Sequence, residues 1–480
     1  MTKNPSIHRT VVMSAQVLTF WACAIIAQQA AAALPAYYIT DLGTLGGTDS
    51  LGWGLNAHGQ VTGYAATAED ATINGFLWTP TTPNGASGTM HDLGTLGGSY
   101  AWGIGINDSG LVAGVSATTE DDAEHATLWK PTTPGGATGT LHDLETLGGT
   151  YSQGNGINAN GQIAGGSDLT GDDASHAFMW KPTTPGGASG TMHDLGTLGG
   201  TFSFGWDINA SGQVTGDADT TDDDATHAFL WTPTVPGGTT GTMHDLGALG
   251  GAWSDGSGIN DLGQVAGSAQ TTDDAADHAF LWTPTEPGGA SGTMLDLGTL
   301  GGLNSYGYNV NASGHVVGLS EVPIEVSTNS RAFLYKAGSG MVDLNTLIDP
   351  LLGWELQDAS EINAAGQITG QGLINDEYHA YLLTPIKAGD VNIDGVVNIF
   401  DINTVSSNWG TAGPLGDANG DGIVNIFDIN LISANWAPTG GGATAVPEPS
   451  SVVLLVAAVA FAAACRVVRY RRFVRANDVV

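Results

Sequence analysis

The sequence predicts a mainly β protein whose body is a seven-bladed β-propeller closed by the N-terminal strand, followed by a small α-helical domain and a C-terminal hydrophobic helix. Composition is the first reason. The 480 residues include 72 glycines, with 41% apolar and only 12% charged residues, as in turn-rich β proteins with an ordinary core. The second reason is a segment at residues 41–47, Asp-Leu-Gly-Thr-Leu-Gly-Gly, that returns every 51 residues. A fixed period of this size is typical of stacked or radial repeats.

The third reason is the content of one repeat. Residues 205–249 contain four short β segments, separated by a tight turn, an acidic loop and a Pro- and Gly-rich connection. Four strands in a unit of about 50 residues match a propeller blade, and an open β-solenoid is the alternative. The four segments are predicted at Gly205 to Asn209, Gly212 to Asp217, His227 to Trp231 and Thr242 to Leu249.

The two ends of the repeat array predict how the ring closes. The last repeat ends at residues 378–385 without a fourth strand, whereas residues 37–45 form a fourth strand with no repeat before them. We therefore expect the N-terminal strand to complete the last blade, which would remove exposed sheet edges. The predicted first strands, one for each blade, end at Asn56, Asn107, Asn158, Asn209, Asn260, Asn311 and Asn363.

A His-Ala-Phe run occurs at His176, His227 and His278. The repeats resemble the HAF-type extracellular repeat over residues 34–386. This resemblance implies export and a propeller-like fold, and it implies no chemistry. For the histidines at this position we expect a structural hydrogen bond in preference to a metal site, and for Trp231 and its equivalents a packing role. The acidic loops, such as Asp222 to Asp224, predict a solvated acidic rim, with a cation-binding surface as the alternative.

Both termini have sequence features that are typical of targeting segments. Residues 1–33 have a basic start, an apolar run and an alanine-rich end, as in a secretory signal peptide. After a linker at 439–446, residues 447–480 contain Pro-Glu-Pro, an apolar run over 451–465 and an arginine cluster. The run is shorter than the roughly 20 residues that span a bilayer. The tail resembles the PEP-CTERM sorting signal, which implies an exosortase as processing partner; a permanent single-pass anchor is the alternative.

The charge balance excludes one class of partner. There are 47 acidic and 12 basic residues, and the formal net charge is −35. The electrostatic field of so negative a protein repels phosphate backbones and attracts divalent cations, so we expect no nucleic-acid partner.

After Lys387 the period changes to 27 residues, and two twelve-residue loops follow. Acidic and amide residues occupy positions 1, 3, 5, 9 and 12 of each loop, glycine occupies position 6, and position 7 offers a main-chain carbonyl. Calcium prefers six to eight oxygen ligands, and this spacing can wrap them around one ion. The predicted ligands of the two Ca²⁺ ions are Asp390, Asn392, Asp394, Val396, Asn398 and Asp401, and Asp417, Asn419, Asp421, Ile423, Asn425 and Asp428.

One apolar helix is predicted after each loop, at Ile399 to Trp409 and at Ile426 to Trp436. This arrangement resembles a type I dockerin, in a domain at residues 387–438. The resemblance implies docking onto a cohesin-like protein, although positions 10 and 11 are Ile-Phe here in place of polar residues.

Together these patterns favour an exported, non-catalytic surface or extracellular protein. It would pass through an inner-membrane anchored stage before reaching the cell surface or the medium. Its propeller would bind or scaffold, its dockerin-like module would dock onto a cohesin-like or matrix partner, and extracellular polysaccharide is a candidate ligand. The alternative is a secreted carbohydrate-active enzyme, a glycoside hydrolase or lyase. Catalysis needs an asymmetric pair of carboxylates, and the repeats are alike. The only catalytic candidates are in the divergent repeats: Glu321, Glu325, Arg331, Glu355 and Glu361.

Overall fold

A computed structural model describes residues 36–272, 275–323, 330–392, 396–411 and 416–436. Within these ranges the chain is mainly β, with α-helices only at 399–407 and 426–434, which confirms the mainly β prediction. No helix of this described part is long and apolar enough to cross a membrane. The predicted signal peptide, linker, sorting tail and C-terminal hydrophobic helix lie outside the described residues.

The strands form groups of four, and each group is an antiparallel sheet. In every group but the last, the four strands follow one another in sequence. The first strands are Gly46–Leu55, Gly97–Ile106, Gly148–Ile157, Gly199–Ile208, Gly250–Ile259, Ser305–Val310 and the interrupted pair Glu355–Leu356 and Glu361–Ile362. The second strands are Val61–Thr67, Val112–Thr118, Ile163–Leu169, Val214–Thr220, Val265–Thr271, Val316–Glu321 and Ile368–Ile374.

The third strands are Ile73–Pro80, Glu124–Pro131, Ser175–Pro182, Thr226–Pro233, Asp277–Pro284, Ser330–Lys336 and Glu377–Pro385. The fourth strands are Gly88–Asp92, Gly139–Asp143, Gly190–Asp194, Gly241–Gly247, Gly292–Asp296, Gly340–Asp343 and, from the N-terminus, Tyr37–Asp41. Short 3₁₀ turns occur at Ala68–Asp70, Thr119–Asp121, Thr221–Asp223, Leu344–Leu347 and Pro350–Leu352.

The core lies between neighbouring sheets. Phe229 and Trp231, on a third strand, are 0% and 2% exposed, and they pack in one cluster with Ala177 and Met179 of the preceding group. A strand that is apolar on both faces must be covered on both sides, and adjacent sheets supply that cover. Pro233 ends the strand because proline cannot donate to a sheet ladder.

The N-terminal strand pairs with the last third strand. Tyr37–Asp41 runs antiparallel to Glu377–Pro385, with Tyr37 opposite Pro385 and Asp41 opposite Tyr381. The side chain of His379 lies 2.9 Å from Asp41, from Nδ1 to Oδ1. These contacts join residues more than 300 positions apart in the chain.

The first strands begin earlier than predicted. In the fourth group the strand begins at Gly199, not at Gly205, because the Gly-Gly pair belongs to the strand and not to a loop. The pairing register shifts between Gly199 and Ser203, which marks a β-bulge. Gly199 has φ +111°, and a Cβ on Gly200 would lie 2.4 Å from the Asp223 carboxylate, so both positions require glycine.

The two α-helices are shorter than predicted. They are Ile399–Ser407 and Ile426–Ala434, each ending two residues before the predicted tryptophan. Asn408 and Asn435 end them, and each donates its side-chain amide to a carbonyl of the last turn. At the other ends, Asn398 and Asn425 form capping boxes with the aspartate three residues later. Val397, Val405, Val424 and Ile432 are fully buried between the helices.

Candidate functional site

The first strands surround a cavity of about 850 Å³, here called the first-strand cavity. A chain of hydrogen bonds holds these strands together at one end. Each asparagine that follows a first strand donates its side-chain amide to the main-chain oxygen of the next such asparagine, as Asn56 does to Asn107 over 3.1 Å. Asn363 donates back to Asn56 over 3.0 Å, so the chain of bonds returns to its start. The intermediate donors are Asn107, Asn158, Asn209, Asn260 and Asn311.

The repeats differ from one another at the positions that line this cavity. Counted back from the asparagine, the residue five places earlier is Leu51, Trp102, Gln153, Phe204, Asp255, Tyr306 or Asp358. Three places earlier it is Trp53, Ile104, Asn155, Trp206, Ser257, Tyr308 or Ser360, and two places earlier Gly54, Gly105, Gly156, Asp207, Gly258, Asn309 or Glu361. Most of these residues line the cavity. Packing between repeats keeps the other positions similar, so this variation produces an asymmetric site within a repetitive framework.

Three aspartates of the cavity wall are held by hydrogen-bond donors. Asp207 accepts the amides of Ile208 and Ile259 at 2.7 and 2.9 Å. Asp255 accepts the Ser257 hydroxyl at 2.6 Å, and Asp358 accepts the amide of Gln371 at 3.0 Å. Burial raises the pKa of each of these three carboxyls to about 6, and the hydrogen bonds oppose that rise.

Glu361 differs from these aspartates. Its carboxyl lies on the cavity wall without a hydrogen-bond partner among the described residues. Burial, and next the negative charge of Asp207, raise its pKa well above the usual range. The cavity therefore contains an acid that favours its protonated form and aspartates whose ionised forms are stabilised by donors. Such a difference between carboxyls is the basis of acid and base roles.

Aromatic rings form part of the same wall. Trp53 packs edge-on against Trp102, with ring centroids 5.6 Å apart, and against Tyr64 at 5.1 Å. Trp206 is 37% exposed and donates its indole N–H to Asp217 at 2.7 Å. Burial raises the pKa of Tyr308, followed by the charges of Asp358 and Asp255, so its phenol stays a donor. Exposed tryptophan faces in a cavity are suited to stacking on sugar rings.

The periodic histidines have the structural role that was expected. His227 Nδ1 lies 2.9 Å from Asp245, a residue of the facing fourth strand. The same pair recurs at His125, His176, His278 and His379. Trp231 and its equivalents are buried in the core. The acidic loops also have local partners, since Asp223 accepts the amide of Thr201 at 2.8 Å.

The predicted catalytic candidates are dispersed. Glu361 lines the first-strand cavity, whereas Arg331 forms an ion pair with Glu355 at 2.6 Å, away from the cavity wall. Glu321 accepts the side-chain amide of Asn304 at 3.2 Å. Glu325 lies outside the described residues. Sequence reasoning missed Asp207, Asp255 and Asp358. Asp207 and Asp255 are single departures within units that otherwise follow the repeat, whereas Asp358 lies in the divergent last repeat, where only the glutamates were predicted as candidates.

The calcium loops contain buried carboxylates. Asp401 and Asp428 are fully buried, and each accepts main-chain amides at both oxygens, as Asp428 does from Asn419 and Asn425. Asp417 is 4% exposed. No lysine, arginine or histidine occurs between Lys387 and Arg466, so no basic side chain of this stretch offsets these charges. Buried carboxylates without a cation are costly, and the oxygen-rich donor set fits Ca²⁺.

Two other predicted ligands form hydrogen bonds within their own loops. Asn398 and Asn425 donate to the main-chain oxygens of Val396 and Ile423 at 3.0 and 2.7 Å. Among the described residues no group of three or more His, Cys, Asp or Glu side chains gathers as a metal site. The predicted set also uses amide and main-chain oxygens, and it includes Asp394, which lies outside the described residues.

No protein-family model and no curated protein matches this chain. Three similar solved structures are sialidases of Trypanosoma rangeli. The sialidase itself is 9% identical, with a TM-score of 0.32, over 78% of this chain and 58% of that chain. A mutant displaying trans-sialidase activity is 10% identical, with a TM-score of 0.36, over 80% and 64%. The complex with sialic acid is 11% identical, with a TM-score of 0.35, over 69% and 60%. This chain thus covers 58% to 64% of those chains.

The expectation of a non-catalytic protein is wrong. The similar solved structures named above are those of sialidases. The premise of the expectation fails, because it assumed that the repeats are too alike to supply an asymmetric set of carboxylates. The first strands bring Asp207, Asp255, Asp358 and Glu361 to one cavity in different surroundings.

Proposed function

We propose that this protein is an exported carbohydrate-active enzyme that cleaves glycosidic bonds in the first-strand cavity. The observation that carries the proposal is Glu361, an acid with a raised pKa and no hydrogen-bond partner among the described residues, beside donor-held aspartates. A carboxyl whose pKa is raised can donate a proton to a leaving oxygen. Glycoside hydrolysis needs such an acid together with an ionised carboxylate.

The roles follow from these surroundings. Glu361 acts as the general acid, and Asp207 and Asp358 are the candidates for the base or nucleophile because amide donors stabilise their ionised forms. Trp53 and Trp206 would hold the sugar rings by stacking. Tyr308 would donate a hydrogen bond from its protonated phenol. A cavity of about 850 Å³ falls within the usual size range of small-molecule sites, so it can take a short stretch of sugar units.

The test is glycan cleavage by the wild-type chain and by Glu361→Gln. Reducing-end release would be measured on a panel of cellulose, xylan, chitin, chitosan and pectin, with ultraviolet absorbance to detect the unsaturated product of a lyase. We expect cleavage of at least one polymer, and a fall in kcat of about 10²- to 10⁴-fold in the variant with little change in KM, since a general acid contributes about that factor. Glu377→Gln, which alters an exposed carboxyl of the last group, should retain wild-type activity. Cleavage of no polymer, or full activity of Glu361→Gln, would refute the proposal.

We further propose that the sheets are the blades of a closed seven-bladed propeller. Two observations support this proposal: the hydrogen bonds from one asparagine to the next, which return from Asn363 to Asn56, and the pairing of the N-terminal strand with Glu377–Pro385. Closure would leave only the short outer edges of the blades exposed to another chain.

Residues 387–438 are proposed to bind two Ca²⁺ ions in a dockerin-like module. The buried carboxylates of Asp401, Asp417 and Asp428 support calcium in these loops. The module also presents Phe400 and Phe427 at 60% and 63% exposure, beside the half-exposed Ile399 and Ile426. Exposed apolar pairs of this kind mark interaction surfaces, which favours a cohesin-like or matrix partner.

The terminal segments support a proposed route to the cell surface. The apolar run after a basic start at 1–33 would direct export, and the tail at 447–480 would hold the protein in the inner membrane until an exosortase removes it. Mass spectrometry of the exported protein tests this step directly. We expect a mass that lacks the arginine cluster, whereas a mass that includes Cys465 would contradict it.

A further inference from the structure

The first-strand cavity has a one-sided charge pattern. Among the residues that the structure describes, its wall contains no lysine, arginine or histidine. Two of its acidic residues, Asp108 and Asp261, lie beside the asparagines and accept main-chain amides of neighbouring groups at 2.9 Å. The others are Asp207, Asp255, Asp358 and Glu361. The cavity thus offers oxygen acceptors and negative charge, with no cationic side chain to recognise a carboxylate or a sulfate.

The acceptors remain available to a ligand because the protein uses only part of their capacity. A carboxylate has about four lone-pair positions. Asp207 receives two donors, and Asp358 receives the amide of Gln371 and the hydroxyl of Ser360 at 3.3 Å. Glu361 receives none from the described residues. A ligand that brings N–H donors would therefore find unused acceptors in a recess where each hydrogen bond is stronger than in water.

The tryptophans favour the same ligand. Trp53, Trp102 and Trp206 line the cavity that contains these carboxylates. The face of an indole ring attracts a cation through its quadrupole and also stacks on the apolar face of a sugar. The net charge of −35 for the whole chain would draw a cationic polymer toward the protein and repel an anionic one.

From these features we infer that the cavity recognises a glycan that carries protonated amino groups, that is, a polymer of glucosamine-type sugars, and discriminates against acidic sugars. The inference rests on the proposed function, because it specifies the substrate class of the same site. Ammonium groups would donate to Asp207, Asp255 or Asp358 while the sugar rings stack on tryptophan. An acidic sugar such as sialic acid would meet only negative charge.

Binding of three matched oligomers to the full-length chain tests the inference. The probes are a glucosamine hexamer, its N-acetylated neutral counterpart and a galacturonate hexamer, each titrated at pH 7 by calorimetry and tryptophan fluorescence. We expect the glucosamine hexamer to bind at least tenfold more tightly than the neutral one, the preference to weaken with added salt, and the galacturonate hexamer not to bind. Equal or tighter binding of either other hexamer would overturn the inference.

Three variants locate the effect. Asp255→Asn should reduce glucosamine binding about tenfold with little effect on the neutral oligomer, and it keeps an acceptor for the amide of Ser268. Asp376→Asn removes one exposed charge from a turn outside the cavity and should change neither. Trp53→Phe should weaken both sugars, which provides a second variant if Asp255→Asn fails to fold. Equal losses in Asp255→Asn and Asp376→Asn would place the preference in the overall charge and refute the cavity site.

Cleavage measured on the same samples separates the two proposals. Cleavage of the galacturonate or the N-acetylated oligomer in preference to the glucosamine oligomer would leave the proposed function intact and refute the substrate class. Tight binding of the glucosamine hexamer without cleavage of any polymer would refute the enzymatic function and retain the recognition of amino sugars.

Discussion

Asp217 lies behind the cavity wall and accepts the indole N–H of Trp206 at 2.7 Å. Burial is the main reason why the pKa of its carboxyl rises to about 7, the nearby charges of Asp255 and Asp219 add to the rise, and the Trp206 hydrogen bond opposes it. The folded protein therefore holds this proton more tightly than the unfolded chain. The resulting stability is fully present below about pH 4, the unfolded pKa, and is lost as the pH rises through 7.

Asp217→Asn should remove this pH dependence. The amide keeps an acceptor for Trp206 but cannot ionise, so at pH 8 we expect the variant to be more stable than the wild type by roughly 2 kcal/mol, with no difference near pH 4. Urea unfolding at both pH values measures the difference. Asp376→Asn is the control because its carboxyl is exposed. A stability change of equal size at pH 4 and pH 8 would contradict the assignment.

Individual residues of the site were only partly predictable from the sequence. Glu361 was a candidate because its repeat departs from the others over several positions. Asp207 and Asp255 replace single residues within repeats that otherwise keep the pattern. A comparison that looks for residues shared by all repeats does not detect such single substitutions. Their meaning depends on which face of the first strand borders the cavity, and the early start and glycine bulge of that strand alter its register.

At the scale of elements, the strands were predictable in kind and order, and their ends were not. Third strands such as Thr226–Pro233 were recognisable because a Phe-Leu-Trp run must be buried on both faces. The first strands were placed six residues late in the fourth group because Gly-Gly resembles a turn. The helix ends were misplaced because Trp409 and Trp436 look like core residues, whereas they are 52% and 43% exposed.

Asp421 is exposed, occupies position 5 of the second loop, and accepts the amide of Ile423 at 2.9 Å. Asp421→Ala should remove one calcium ligand without leaving a cavity in the hydrophobic core. We therefore expect calorimetry to detect one strong calcium site where the wild type has two.

Chelation of the wild type should abolish the helical circular-dichroism signal of residues 399–434 and leave the strand signal unchanged, since only the loops depend on the ion. Asp376→Ala, an acidic turn residue of the repeat domain, is the matched control and should keep two sites. Retention of both sites in Asp421→Ala, or an unchanged helical signal after chelation, would argue against calcium-dependent folding of this module.

At the scale of the whole molecule, the repeat domain depends on contacts between its two ends. Tyr37 is 7% exposed and belongs to the same core cluster as Tyr381 and Leu383, while Leu42 packs with Ala380 and Leu382. The Asp41 carboxylate lies 2.9 Å from His379. Without Tyr37–Asp41, the last group would expose the edge of Glu377–Pro385 and part of its apolar face.

Two truncations distinguish this closing strand from the segment before it. A chain that begins at residue 36 retains Tyr37–Asp41 and should unfold cooperatively at the wild-type temperature. A chain that begins at residue 45 lacks the strand, so we expect a lower unfolding temperature and concentration-dependent association, because unpaired edges and exposed apolar faces pair with other copies. Scanning calorimetry and sedimentation measure both properties. Adding a peptide of residues 36–44 should restore the monomer, because the peptide can occupy the vacant edge. A monomeric and equally stable chain beginning at residue 45 would mean that the N-terminal strand does not close the fold.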